Sequence, residues 1–420
     1  MSRQEPLTIV SPVKKDRLQS LFNILFELNY NVEHHMPESF EKIGTIHFAR
    51  WLVIDFSPST FAGFVADTPK LVFSSNFDGE IKQQIRDLCE RATDIIDKVY
   101  ENCEGYPSAA DRTITTRIEY LTRFTIAPSA FYRGSPGRSV QQIRQEDMLQ
   151  KKLRAYLDSK SFDNRSAKDV HRELKQFILK DPAFDWVRRS VRLPTINWFG
   201  MIGIGIILLL LLPVVIIWVL LIQFRYERHD AYFTMKRSQL SEERIRDLEQ
   251  YEDLEFQNQF SQLVWMKPGK VRLITYKAFM LLARGLIRFQ FVEGKLMGIP
   301  TIHFARWVLF DDNKRVLFFS NFDGSWQQYL GDFIDQSGWG LTGIFSNTTN
   351  FPKTKFLITG GAYDEEHFLA WSRNSEIKTH MWYSAYPHLS IKNVNNNTRI
   401  RAALIKDLSE QQAADLLKLI

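Results

Sequence analysis

The chain has 420 residues, with 54 Lys and Arg against 48 Asp and Glu, a formal charge of +6. A content of 45% hydrophobic and 24% charged residues excludes a disordered or collagen-like polymer, and two cysteines, Cys89 and Cys103, exclude a disulfide framework or a thiolate zinc cluster. The mild basic excess suits an anionic partner such as a membrane surface, and the 32 Phe, 14 Tyr and 10 Trp suit a core and a membrane interface rather than base stacking, so no nucleic-acid partner is expected.

Residues 1–40 are expected to form an N-terminal helical extension, and the opening MSRQEPLTIVSPVKK lacks the apolar run of a signal peptide. Residues 41–160 read as a first α+β unit. TIHFARW (residues 45–51) forms a strand, SPSTFAGFVADTPK a long hairpin loop, and SNFDG (75–79) closes the partner strand. TRIEYLTRF, SAFYRG and the polar helix QQIRQEDMLQKKLRAYL follow. GSPGR (134–138) is glycine-rich and basic but lacks the Walker pattern. Residues 161–200 read as a basic linker.

Residues 201–224, MIGIGIILLLLLPVVIIWVLLIQF, contain no charge in 24 positions. At 1.5 Å per residue a helix of this length extends about 36 Å, more than the ~30 Å hydrocarbon core of a bilayer. Arg188, Arg189, Arg192 and Trp198 precede it, and Arg225, Tyr226 and Arg228 follow, a flanking pattern of interface anchors. Pro213 lies near its middle, so two arrangements fit: one kinked span, or a hairpin of two short arms turning at the proline. Residues 225–270 read as a charged helical linker.

Residues 271–292 read as an amphipathic membrane-surface helix. Lys277, Arg284 and Arg288 are spaced by seven and four, which stacks them along one stripe, while Leu273, Ile274, Phe279, Met280, Leu281, Leu282, Leu286 and Ile287 cover the remaining faces. The same pattern also fits a helix packed on a sheet with its basic stripe in water.

Residues 293–420 read as a second α+β unit, because TIHFARW recurs at 301–307 and SNFDG at 320–324. The offsets are 256 and 245, so the first copy carries 11 more residues between the blocks. In the second copy the turn is the polar Asp311-Asp312-Asn313-Lys314. Alternation puts His303, Ala305, Trp307 and Leu309 on one strand face, and Ile302, Phe304, Arg306, Val308 and Phe310 on the other. SWQQYLGDFID reads as a helix, KFLITGG as a strand and its turn, DEEHFLAWSR as a helix and THMWYSAY as a final strand.

This element order resembles a ferredoxin-like split unit, and two such units in one chain resemble the dimeric α+β barrel superfamily, which includes dye-decolourising haem peroxidases. KPG, TIHFARW, SNFDGSW and WYSAYP also resemble a set of uncharacterised bacterial membrane proteins. The fold class expected is therefore α+β: two ferredoxin-like repeats forming a pseudo-dimeric α+β barrel, with a central membrane helix or hairpin. The resemblance implies a bacterial inner-membrane protein. Each unit has a sheet face to cover, so both repeats are expected on one side, the cytoplasmic one, which favours a hairpin with its tip at Pro213 or a tilted segment lying within one leaflet. A lipid bilayer, an apolar small molecule and a second copy of the chain are the expected partners.

The peroxidase resemblance gives SNFDG a chemical reading. Asp78 and Asp323 match the aspartate that assists peroxide cleavage beside haem, although Ser75 and Ser320 replace the leading glycine. Arg50 or Arg306 would supply the positive charge. His47, His303, His380 and His388 are the candidate haem ligands. The structural readings are simpler. The aspartates cap a helix at a strand–helix junction, the arginines pair with those aspartates, and the histidines are held by hydrogen bonds within the sheet.

Overall fold

The computed structural model describes residues 3–34, 39–56, 67–191, 193–250, 252–292 and 294–420. Its strands are β1 (Gln4–Pro12), β2 (Ile46–Ile54), β3 (Lys70–Asp78), β4 (Ala130–Arg133), β5 (Gln257–Trp265), β6 (Ile302–Phe310), β7 (Arg315–Asp323), the two-residue pair β8 (Thr354–Lys355) and β9 (Thr359–Gly360), and β10 (Met381–Ser384). They form two antiparallel four-stranded sheets, ordered β1-β3-β2-β10 and β5-β7-β6-β4, with β8 and β9 as a small hairpin.

The two orders correspond strand for strand, and the last strand of each is exchanged. β4, from the N-terminal half, pairs with β6 so that Phe131 stands opposite Arg306. β10, from the C-terminal half, pairs with β2 so that Trp382 stands opposite Arg50. Flanking backbone bonds repeat the exchange: Ser129 N–H to Trp307 O at 2.7 Å and His380 N–H to Trp51 O at 2.9 Å. Neither half can complete its sheet alone.

The sheets face each other. Leu52, Ile54 and Val72 from one and Leu263, Val308, Leu317 and Phe319 from the other form a single buried layer between them. Fully burying one such side chain stabilises by roughly 1.5–3 kcal/mol. The opposite faces are covered by helices: Trp51 and Phe73 lie in the core with Leu21, Leu25 and Ile85, and Trp307 and Phe318 in the core with Tyr276, Tyr329 and Phe333. With both faces covered, the long strands are buried on both sides, and their polar residues are buried along with the apolar ones. Neither sheet closes on itself, so the arrangement is two open, facing sheets where a barrel was expected.

Several boundaries differ from the sequence reading. Residues 4–12 are the strand β1 rather than part of a helical extension, and β5 lies inside what reads as a charged helical linker. Each half therefore starts one strand earlier than its TIHFARW block. The expected basic linker at 161–200 contains the helix Ala167–Leu179, which packs Leu174 and Ile178 against Leu404 and Leu416 near the C-terminus. KFLIT is not one strand: Phe356 and Leu357 have φ of 52° and 68° and turn the β8–β9 hairpin. In the turn of the second TIHFARW–SNFDG hairpin, Asp311, Asp312 and Asn313 all have positive φ, a conformation that Asp and Asn tolerate. The longer loop of the first copy lies, for residues 57–66, outside the described residues.

The apolar segment is one continuous helix, Trp198–Arg225, with Pro213 inside it. It does not turn back at the proline, so the hairpin arrangement is set aside. The helical stretch Trp198–His229 is long and apolar enough to cross a membrane, and none of its most apolar part is buried.

Candidate functional site

Each TIHFARW strand carries a β-bulge at its histidine: the β2 register shifts between Ile46 and Phe48, and the β6 register between Ile302 and Phe304. The extra residue breaks strict alternation and re-aims the side chain. Phe304 pairs with Asn321, so these two share the inter-sheet face, and Asp323 follows Asn321 on that face. His303 reaches this same aspartate, with Nε2 2.7 Å from Asp323 Oδ1. His47 Nε2 lies 3.2 Å from Asp78 Oδ1. The alternation that set the histidines apart from the arginine face therefore fails at the first strand residues.

The second carboxylate oxygen has its own task. Asp78 Oδ2 accepts from Val140 N–H at 2.7 Å, and Asp323 Oδ2 from Ile391 N–H at 2.8 Å. These are the first residues of the helices Val140–Asp158 and Ile391–Leu404, whose N-caps are Ser139 and Ser390. Each SNFDG aspartate thus ties the bulged histidine to a helix N-terminus, where a negative charge is favoured. The capping expectation holds in kind, but the capped helix is the one after the exchanged strand, not the one that follows SNFDG directly. The motifs GRSV and HLSI, each a serine before an apolar residue, are the sequence signal for those caps.

At the centre the two halves interlock. The His47 ring lies 5.3 Å from Phe304, the His303 ring 5.3 Å from Phe48, and Phe48 and Phe304 are 5.8 Å apart. Tyr386, which the sequence reading passed over, places its hydroxyl 2.9 Å from His47 Nδ1. With Asp78 ionised, His47 donates from Nε2 and accepts from Tyr386 at Nδ1. Burial, with Asp78 and Asp323 nearby, raises the Tyr386 pKa well above the ordinary tyrosine value. His47 and His303 are 0% and 1% exposed.

Arg50 and Arg306 do not pair with the aspartates. Each crosses to the opposite sheet. Arg50 donates to Gln259 Oε1 at 3.1 Å, Phe260 O at 2.9 Å, Ser261 Oγ at 2.9 Å, Ser320 O at 2.8 Å and Asn321 Oδ1. Arg306 donates to Leu7 O at 2.9 Å and Ser74 Oγ at 2.5 Å. Both guanidinium groups stand 5.6 Å from the Phe319 ring. Burial lowers the Arg50 pKa to about 9; burial also lowers the Arg306 pKa well below the ordinary arginine value, with the Arg50 charge acting in the same direction.

The other two histidines lie elsewhere. His380 stacks on Phe22 at 5.1 Å, and its Nδ1 accepts from Val53 N–H at 3.3 Å. Burial, then the Lys378 charge, brings its pKa down to about 4. His388 is half-exposed, with Nε2 3.1 Å from Asp147 Oδ2. The four candidate ligands thus occupy separate environments, apart from His47 and His303, whose rings both lie near Tyr386.

A haem does not fit between the sheets. His47 has both ring nitrogens in hydrogen bonds, phenyl rings close over it and His303, and the space beyond is filled by the inter-sheet layer. Neither arginine donates to Asp78 or Asp323, so the peroxide-cleaving pair is not assembled. Among the described residues no group of three or more His, Cys, Asp or Glu could hold a metal ion.

Several cavities lined by described residues lie outside this centre. A cleft of about 520 Å3 has a polar floor of Asn258, Gln259, Thr379 and Trp382 and an acidic rim of Glu33, Glu41 and Glu255. An open groove of about 970 Å3 runs past His380 between the helices Leu18–Glu33 and Glu242–Glu249. A small crevice of about 40 Å3 is apolar, lined by Leu282, Leu286, Trp307, Trp339, Leu341 and Ile344. No family model matches the chain, and neither the curated proteins nor the solved structures compared with it give a match.

Proposed function

We propose that the chain is a non-enzymatic membrane protein, whose α+β body is held against a bilayer and binds lipid or another apolar small molecule there. One observation carries this reading: a 28-residue helix without an acidic side chain lies on the outside of a folded body, and most of its Leu, Ile and Val side chains are 40% or more exposed. An exposed apolar surface of this extent is unstable in water and marks a membrane or partner face. The small apolar crevice beside the helix Lys270–Phe289 adds apolar surface at which lipid methylene groups would meet the body. The matching strand orders and exchanged edges support descent from a duplicated ferredoxin-like unit, as in dimeric α+β barrels. Because the halves share one core, the body belongs on one side of the membrane.

The test is flotation of the full chain with phospholipid vesicles, together with an absorption spectrum after haem-supplemented expression. Co-flotation, quenching of tryptophan fluorescence by lipids brominated on the acyl chain, and no Soret band are expected. A chain that stays with the soluble fraction overturns the membrane reading. A Soret band abolished by His303→Ala overturns the non-enzymatic one.

A further inference from the structure

The apolar helix is fixed to the body near both of its ends. Near its start, Asn197 N–H donates to Phe289 O at 2.8 Å. A Cβ on Gly200 would lie 2.5 Å from the Phe289 ring, and one on Gly285 would lie 2.9 Å from Ile204, so glycine permits close approach at both places. Further on, Trp218 Nε1–H donates to Thr275 Oγ1 at 2.9 Å. Past its middle the ties pass to the β8–β9 hairpin: Phe356 N–H donates to Gln223 Oε1 at 2.6 Å and Leu357 N–H to Glu227 Oε1 at 3.1 Å. The helices Trp198–Arg225 and Lys270–Phe289 are therefore an antiparallel pair, and the second of them packs Tyr276, Met280 and Ile287 into the core of the body.

That pairing fixes where the basic stripe lies. With Ile204 beside Gly285 and Trp218 beside Thr275, the midpoint of the apolar helix, near Leu211, stands level with Met280. Lys277 and Arg284 are three and four residues from Met280, about 4.5 and about 6 Å along the axis. Both are exposed, as is Arg288, on the flank that also shows Ile274 and Leu281 to the outside. If the pair stood upright across a bilayer, Lys277 and Arg284 would sit almost at its mid-plane, the depth at which a charge is most costly. If the pair lies flat, the same stripe runs along the headgroup boundary at one depth. The apolar helix has no polar face of its own, but the pair has one. Neither helix contains an Asp or Glu, and Arg225 and Arg228 add exposed positive charge where the apolar helix ends.

We propose that the apolar helix does not cross the membrane: the helix pair sinks side-on into a single leaflet of an anionic bilayer, with Lys277, Arg284 and Arg288 on its headgroups. This rests on the membrane reading above and adds the mode and the lipid class. The apolar helix lies below the headgroups, its companion lies between it and the body, and the whole chain stays on one side.

The experiment uses the full chain in vesicles of phosphatidylcholine with a quarter phosphatidylglycerol. Labels at Ile206→Cys, Leu210→Cys and Ile217→Cys are read against lipids carrying quenchers at known depths. The native Cys89 and Cys103 are buried and stay unlabelled. Equal depths within one leaflet at all three positions are expected. A maximum depth at Leu210 with both ends shallower, or ends reached by an impermeant reagent from opposite sides, overturns the proposal. Independently, the triple variant Lys277→Gln/Arg284→Gln/Arg288→Gln is expected to lose preference for phosphatidylglycerol over phosphatidylcholine vesicles by roughly five-fold per residue, with an unchanged circular dichroism spectrum. An unchanged preference overturns the anionic-lipid assignment. A chain that fails to float at all sinks the membrane reading instead, so the two failures are distinct.

Discussion

At the scale of single residues, the two arginines at the centre of the molecule are held by hydrogen bonds to neutral acceptors rather than by charge pairing. Arg50 has five acceptors and Arg306 two, yet both are buried without a carboxylate. Removing Arg50 strands more acceptors than removing Arg306. Arg50→Ala is therefore expected to cost about 3–5 kcal/mol of unfolding free energy in urea titration, and Arg306→Ala measurably less. An equal loss would show that the bond inventory does not set the cost. Asp323→Ala leaves the His303 ring N–H and the Ile391 N–H buried without an acceptor, and is expected to cost about 3–4 kcal/mol by the same measurement. His380 gives a pH dependence with a definite sign. Its folded pKa is about 4 against an ordinary 6.5, so between these values the unfolded chain binds the proton and the folded chain does not. Stability from this group is complete above pH 6.5 and falls as the pH drops towards 4, by up to about 3 kcal/mol. A His380→Gln variant is expected to flatten that slope in a plot of melting temperature against pH. A slope identical to that of the parent would assign the acid sensitivity elsewhere.

At the scale of elements, the sequence made some features plain and hid others for physical reasons. The TIHFARW and SNFDG strands stood out because a recurring block needs no propensity argument. The apolar helix stood out because nothing but length and hydropathy was required. β1 and β5 were hidden. A strand covered on both faces loses its period-two signature, and QEPLTIVSP and QNQFSQLVW also carry buried glutamines that make a strand look polar. Those glutamines have work: Gln4 Nε2–H donates to Arg138 O at 2.7 Å, and Gln257 Nε2–H to Leu389 O at 2.6 Å. They hold the loops that lead from the exchanged strands into the capped helices. The bulge was equally hidden, because an extra residue changes facing without changing composition, and it moved both histidines to the face of the aspartates. The contact between histidine and aspartate was therefore not legible, although all four residues were named. Ser390→Ala tests the cap on which this junction depends: it is expected to lower stability by about 1 kcal/mol, with Ser390→Asp retaining most of it.

At the scale of the whole molecule, the exchanged strands make one folding unit out of two similar halves. β4 completes the sheet that contains β6, and β10 completes the sheet that contains β2, so the connection between the halves carries no part of the sheet pairing. What holds them is the ladder at each exchange, the shared inter-sheet layer and the reciprocal arginines. It follows that continuity of the chain through the exposed stretch at 234–239 is dispensable once the protein has folded. A specific protease site placed there and cut after folding is expected to leave both fragments co-eluting as one species, with far-ultraviolet circular dichroism unchanged. Denaturation followed by dilution is expected to recover less of the nicked than of the intact chain, because neither fragment alone can supply the fourth strand of its sheet. Spontaneous separation of the fragments under native conditions would show that each half closes its own sheet, and would remove the exchange on which the common core is built.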